Sequence, residues 1–148
     1  MNQKAFYLPE TQVKKTLAVS PTIGKKLLEP LKEIAKNNNL PFNILEDHQL
    51  TANDAEVHQH EADLWLCLEG KVDFVCDGEM VEPWYKKLAD NSEDRREVKA
   101  KFIRGGTTYV LKPGDWLWIP AGVPHQHTCA GTARLVIIKI PADKQHQY

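Results

Sequence analysis

Residues 107–140 read TTYVLKPGDWLWIPAGVPHQHTCAGTARLVIIKI. Short runs rich in β-branched and aromatic residues are broken at Pro113-Gly114, at Pro120-Ala121-Gly122 and at Ala130-Gly131. That punctuation predicts brief strands joined by turns, with strands near 107–111, 115–119, 124–129 and 132–140. Working back toward the N-terminus, the same pattern begins at Ala55 and predicts strands near 55–60, 63–69 and 71–76. Leu68-Glu69-Gly70-Lys71 and Cys76-Asp77-Gly78-Glu79 supply turns between them, because glycine accepts the positive φ that such turns require. Many short strands with regular turns predict an all-β barrel or sandwich.

Two stretches fall outside this pattern. Residues 83–104, PWYKKLADNSEDRREVKAKFIR, are too polar for a core strand and are expected to form an inserted charged loop at the barrel mouth or flank. Residues 1–53 are expected to form an N-terminal arm packed on the barrel of residues 54–148. Within the arm, Ser20-Pro21-Thr22 starts a helix whose apolar positions Ile23, Leu27, Leu28, Leu31, Ile34 and Ala35 follow helical spacing, with a kink or break at Pro30. Asn37-Asn38-Asn39 ends it, and Phe42-Asn43-Ile44-Leu45 begins a strand.

Composition narrows the function. The chain has 148 residues with 19 basic and 20 acidic side chains and a net charge of -1, which lacks the basic excess needed to coat a phosphate backbone. Nucleic acid is therefore not expected as a partner. No apolar run is long enough to span a membrane, and the start MNQKAFYLPETQVKKT has no apolar signal core, so the expectation is a cytoplasmic protein without a membrane partner. Cys67, Cys76 and Cys129 are odd in number and have no C-x-x-C spacing, so they are expected to be reduced.

The chemistry lies in the histidines. His58-Gln59-His60 and His125-Gln126-His127 are two pairs at i, i+2, and residues two apart on a strand share a face. Each pair can thus project two imidazoles into one cavity, which is a metal-ligating arrangement. Asp63 follows closely, but an unbroken strand would turn it away from His58 and His60. A bulge or bend at Glu61-Ala62 is required to bring Asp63 inward, after which Trp65 and Cys67 line the interior by alternation. Arg134 is expected to bind a substrate carboxylate if it points inward, and to be solvated if it points outward, as charged side chains usually are. One of the pairs Trp116/Trp118 and Leu117/Ile119 must face the interior; an outward aromatic pair would be covered by a dimer partner or by the arm.

These motifs resemble the cupin superfamily. His58-Gln59-His60 with Asp63 and Gly70 is similar to its first motif, and Gly114, Pro120, Gly122 and His125 match the second at the family's spacing. The resemblance implies a small RmlC-like cupin, a double-stranded β-helix or jelly-roll barrel. It implies one divalent transition metal per chain (Fe, Mn, Ni, Cu or Zn), held by His58, His60, Asp63 and His125. His127, on the same face, becomes the candidate catalytic group for proton transfer, or a further pocket-lining histidine. Two departures stand out: the acid is an aspartate set closer to His60 than the family's glutamate, and Cys129 replaces the usual asparagine. A second resemblance, of Glu56-Val57-His58-Gln59-His60-Glu61-Ala62-Asp63-Leu64 to the YhcH and EbgC type of sugar-processing cupin-like proteins, implies Glu56, His58 and Asp63 as acid and metal-site positions.

The function expected from the resemblance is a metal-dependent enzyme acting on a small organic molecule. Dioxygenase chemistry stands ahead of isomerase or lyase chemistry, and a homodimer is implied. The alternative is a non-catalytic cupin that binds or senses a sugar or small metabolite.

Overall fold

A computed structural model describes residues 3–142; the outer ends of the expected 1–53 and 54–148 segments, residues 1–2 and 143–148, lie outside the described residues. In chain order the elements are α1 (Glu10–Leu17), β1 (Gly24–Leu27), α2 (Leu31–Asn37), β2 (Phe42–Leu50), β3 (Ala55–His58), β4 (Glu61–Glu69), β5 (Val72–Cys76), β6 (Glu79–Val81), β7 (Trp84–Lys87), β8 (Glu93–Ala100), β9 (Phe102–Arg104), β10 (Thr107–Leu111), β11 (Trp116–Ile119) and β12 (His125–Pro141).

The strands form a curled antiparallel jelly roll. One sheet runs β1-β2-β12-β4-β11 and the other β10-β5-β12-β3-β8-β7, so β12 belongs to both. The Ala130-Gly131 turn signal predicts a division of β12. Instead the strand continues, and its register shifts between Cys129 and Thr132, where it passes from one sheet to the other. Such a shift bends a strand and sharpens its twist, which lets the two sheets face one another. Between them lies an apolar core that includes Trp65, Val72, Phe74, Ile119, Leu135 and Ile137. At Gly70, φ is +74° and an added Cβ would lie 1.9 Å from the Thr132 carbonyl oxygen, so only glycine turns β4 into β5 beneath β12.

The N-terminal arm differs from expectation. Residues 20–30 do not form a helix: Gly24 takes φ +112° and Lys25–Leu27 pair with Leu45–Asp47 as an edge strand. Tertiary pairing has overridden the helical spacing there, and Ile23 is exposed. Only the second half of the expected helix survives, as α2, while α1 forms ahead of it at Glu10–Leu17. The arm covers the outer face of the first sheet through Leu28, Leu31 and Ile44, with Val13, Leu17 and Val136 packed against them.

Arg134 is neither solvated nor in the barrel. It lies beneath the arm, donating to Glu46 Oε2 from Nε (3.1 Å) and Nη2 (2.8 Å), and to the carbonyls of Leu17, the last residue of α1, and Val19. Glu46 also accepts the Thr22 amide, and both charged side chains are buried. This ion pair fastens the arm to β2 and β12.

Residues 83–104 also depart from the expected loop. β7 and β8 form a hairpin that extends the second sheet past β3, and β9 pairs with β6. The ladder is laced by Lys86–Glu97 (3.1 Å) and Lys87–Glu93 (3.3 Å) ion pairs, so its polar residues sit on a sheet edge without needing an apolar face. Trp116 and Trp118 are the outward pair on β11, at 60% and 52% exposure, while Ile119 is buried.

Removing one partner of a buried ion pair leaves an uncompensated charge. Arg134→Met is therefore expected to destabilise the protein by about 3–5 kcal/mol in urea unfolding, and Glu46→Leu in the same chain to recover much of that loss. A loss below about 1 kcal/mol would show that the pair does not hold the arm.

Candidate metal centre

Glu56 and His58 share one face of β3, and His125 of β12 pairs directly opposite Glu56. Residues opposite one another in a ladder share a face, so all three side chains enter the barrel mouth together. Their ligand atoms lie within 4.8 Å of one another. Asp63 arrives from β4. The required break in the strand falls at Gln59-His60, between β3 and β4, two residues earlier than expected. It is fastened by the Gln59 amide donating to the Arg96 carbonyl (2.8 Å) and the Ala142 amide donating to the His60 carbonyl (2.9 Å). After this bend Asp63, Trp65 and Cys67 are all buried.

Asp63 Oδ2 lies 3.6 Å from His58 Nε2 and 3.6 Å from His125 Nε2. This oxygen is buried and has no hydrogen-bond partner among the described residues. An orphaned carboxylate oxygen facing two imidazole nitrogens is a place where a cation would satisfy all three groups. The His125 ring faces the Val123 carbonyl through Nδ1 at 3.1 Å, so Nδ1 carries the proton and the Nε2 lone pair is turned to the cluster. The loop before His125 is tied to β3 by the Gly122 amide, at φ +83°, donating to the His58 carbonyl at 2.8 Å.

Electrostatics favour a neutral His125 and an ionised Glu56. Burial lowers the His125 pKa from 6.5 to about 4, against the opposing pull of the Val123 carbonyl and Asp63. For Glu56 burial acts upward, but the His58 imidazole and the Lys25 and Lys99 ammonium groups outweigh it and hold the carboxyl well below the usual range. Glu56 Oε2 is 3.3 Å from His58 Nε2, and Oε1 is 3.1 Å from Lys25 and 3.6 Å from Lys99.

The structure separates the two histidine pairs. His60 lies in the bend, exposed, outside the Glu56, His58 and His125 cluster. It lines a cavity of about 320 Å³ together with His58, Glu61, Lys86, Asp94, Arg96 and Glu97. His127 is buried deeper in the barrel, with Nδ1 2.6 Å from Asp47 Oδ2 and its ring between Trp65 and Phe74, at centroid distances of 5.5 and 5.0 Å. It does not line that cavity. All three cysteines are free and buried, and burial pushes the Cys76 thiol up to about 11.

Sequence reasoning passed over Lys139, whose Nζ lies 2.7 Å from Asp63 Oδ1 and 3.2 Å from His58 Nε2. The signal was present: Leu135 and Ile137 point into the core, and the same alternation continues to Lys139. Asp47 was likewise missed, although it alternates inward with Leu45 on β2.

Residues 99–141 match the family model of the cupin domain. Among solved structures the chain is similar to hydroquinone 1,2-dioxygenase from Sphingomonas sp. TTNP3 with 4-hydroxybenzoate bound. That match has 15% identity over 70% of this chain and 61% of that one, with a TM-score of 0.45. It is also similar to the EutQ protein of Clostridium difficile (16% identity, 97% of this chain and 80% of that one, TM-score 0.42). A third likeness is to Peruvianin-I, a cysteine peptidase from Thevetia peruviana latex, at 16% identity over 69% of this chain and a TM-score of 0.42. This chain spans half the length of Peruvianin-I. No protein of curated function matches it in sequence. Among the described residues no helix is long and apolar enough to cross a membrane.

The lowered His125 pKa fixes a pH dependence. The folded state resists a proton that the unfolded chain accepts below pH 6.5, so this stabilisation is complete above that pH and is lost as pH falls toward 4. The loss attributable to His125 is about 3 kcal/mol across that window. Urea unfolding of metal-free protein should show it, and His125→Gln should flatten the pH profile. An equal slope in the variant would remove His125 as its source.

Proposed function

We propose that the chain is a metal-dependent cupin enzyme acting on a small polar organic molecule, with the metal held by His58, His125 and Asp63 and with Glu56 beside them. The observation that carries this reading is the buried, unpartnered Asp63 Oδ2, 3.6 Å from both imidazole nitrogens. Two histidines with a carboxylate form the donor set that suits non-haem Fe(II), which favours oxygen-dependent oxidation over isomerase or lyase chemistry. Bound there, ferrous iron would supply open coordination positions for substrate and dioxygen.

The chain's own groups do the rest. His125, kept neutral by burial and oriented by the Val123 carbonyl, offers Nε2 without a proton to displace. His60, Lys86 and Arg96 line the cavity above the cluster with Glu61, Asp94 and Glu97, so the substrate meets charged and polar groups. A small hydroxylated or carboxylated molecule fits that lining better than an apolar ring. In this reading His60 faces substrate, and His127, paired with Asp47, steadies the barrel interior.

Protein purified without chelator is expected to carry near-stoichiometric metal. His58→Ala and His125→Ala should lose it while remaining folded, and His60→Ala should retain it. Loss in His60→Ala together with retention in His125→Ala would reverse the ligand assignment. With Fe(II)-loaded protein, an oxygen electrode and a panel of small hydroxy and keto acids should identify a substrate that drives oxygen uptake. Turnover without oxygen uptake would assign isomerase or lyase chemistry. Binding without metal or turnover would assign a non-catalytic module.

A further inference from the structure

Lys139 is positioned by the same pairing that positions Asp63. Leu135, Ile137 and Lys139 lie on the inward file of β12, and Lys139 is the backbone partner of Asp63 across the β4–β12 ladder. An inward lysine at a barrel mouth needs a reason, because charged side chains seldom face a core without a partner. The partner is the metal site itself. Lys139 Nζ donates to Asp63 Oδ1 at 2.7 Å, lies 3.2 Å from His58 Nε2, and is 3.8 Å from Glu61 Oε1 at the rim. Of the two Asp63 oxygens, one is thus held by a cation the chain supplies, and the other is unpartnered and faces the imidazoles.

We propose that Lys139 is a built-in competitor for the metal: its ammonium neutralises Asp63 when the site is metal-free and must withdraw when a divalent cation binds, so that this residue sets the metal affinity. The inference rests on the reading of His58, His125 and Asp63 as ligands. An ammonium in contact with two of the three ligand side chains would stand close to a dication, and in a partly buried site that repulsion is only weakly screened. Withdrawal is open to it. The Lys139 side chain is 37% exposed, its stem is flexible, and the half-exposed Glu61 carboxylate lies on the solvent side to receive it. The arrangement also gives the Asp63 side chain, 1% exposed, a counter-charge when no metal is bound.

The test is Zn(II) binding, read by competition with a chromophoric chelator, for the wild type, Lys139→Met and Lys139→Arg, with urea unfolding of each metal-free protein alongside. Lys139→Met is expected to bind Zn(II) about ten- to a hundred-fold more tightly, the range of one charge-assisted hydrogen bond, and to unfold at lower urea without metal. Lys139→Arg keeps the charge and should bind no more tightly than the wild type. Should Lys139→Met not fold without metal, Lys139→Gln keeps a donor for Asp63 without the charge, and tighter binding is expected there too. Equal or weaker binding in the uncharged variants would overturn the competitor role while leaving the ligand set standing. No uptake by the wild type would overturn the ligand set, and the competitor role with it.

Discussion

A carboxylate taken out of water must be met by positive charge or by hydrogen bonds, and Asp63 is such a carboxylate at the mouth of the barrel. Much of the surrounding structure answers that demand. The bend at Gln59-His60 turns Asp63 inward, the loop tied through Gly122 brings His125 to one side, and β3 brings His58 to the other. Lys139 takes one oxygen and leaves the second facing the imidazoles. A site that gathers two carboxylates, two imidazoles and an ammonium in so small a space is costly to build for stability alone.

β12 connects this site to the scaffold. Its inward residues Leu135 and Ile137 fill the core before the file reaches Lys139, while Arg134 and Val136 on the other face anchor the N-terminal arm. The two sides carry different charge problems and solve them separately: Arg134 is locked by Glu46 and two backbone carbonyls, whereas Lys139 has a partly exposed side chain and a rim carboxylate close by. One side is a fixed clasp and the other an exchangeable contact. The arm also reaches the site, since Lys25 of β1 touches Glu56.

The barrel strands between Ala55 and Cys76 and from Thr107 onward could be read from sequence, because apolar alternation and glycine turns act locally there. The 83–104 hairpin could not: its strands are held by backbone pairing and cross-strand ion pairs, which leave no apolar period to detect. Lys25–Leu27 followed helical spacing and still became an edge strand, because β2 offered an open ladder. At the site, parity showed that Asp63 needed a break in the strand. It also put His60 beside His58, since the position of that break was not written in the alternation, and the bend carries His60 to the rim. Glu56 entered only through a resemblance, and Lys139 was missed because a lysine near the end of a strand reads as solvated until its register with Asp63 is known.

The most direct test of this account is anomalous diffraction from crystals of the metal-loaded protein. One strong peak per chain is expected at the ordinary ligand distance of about 2.0–2.2 Å from His58 Nε2, His125 Nε2 and an Asp63 oxygen, with the Lys139 ammonium moved away from Asp63. A peak on His60 at the rim, or metal bound while Lys139 still holds Asp63, would contradict it.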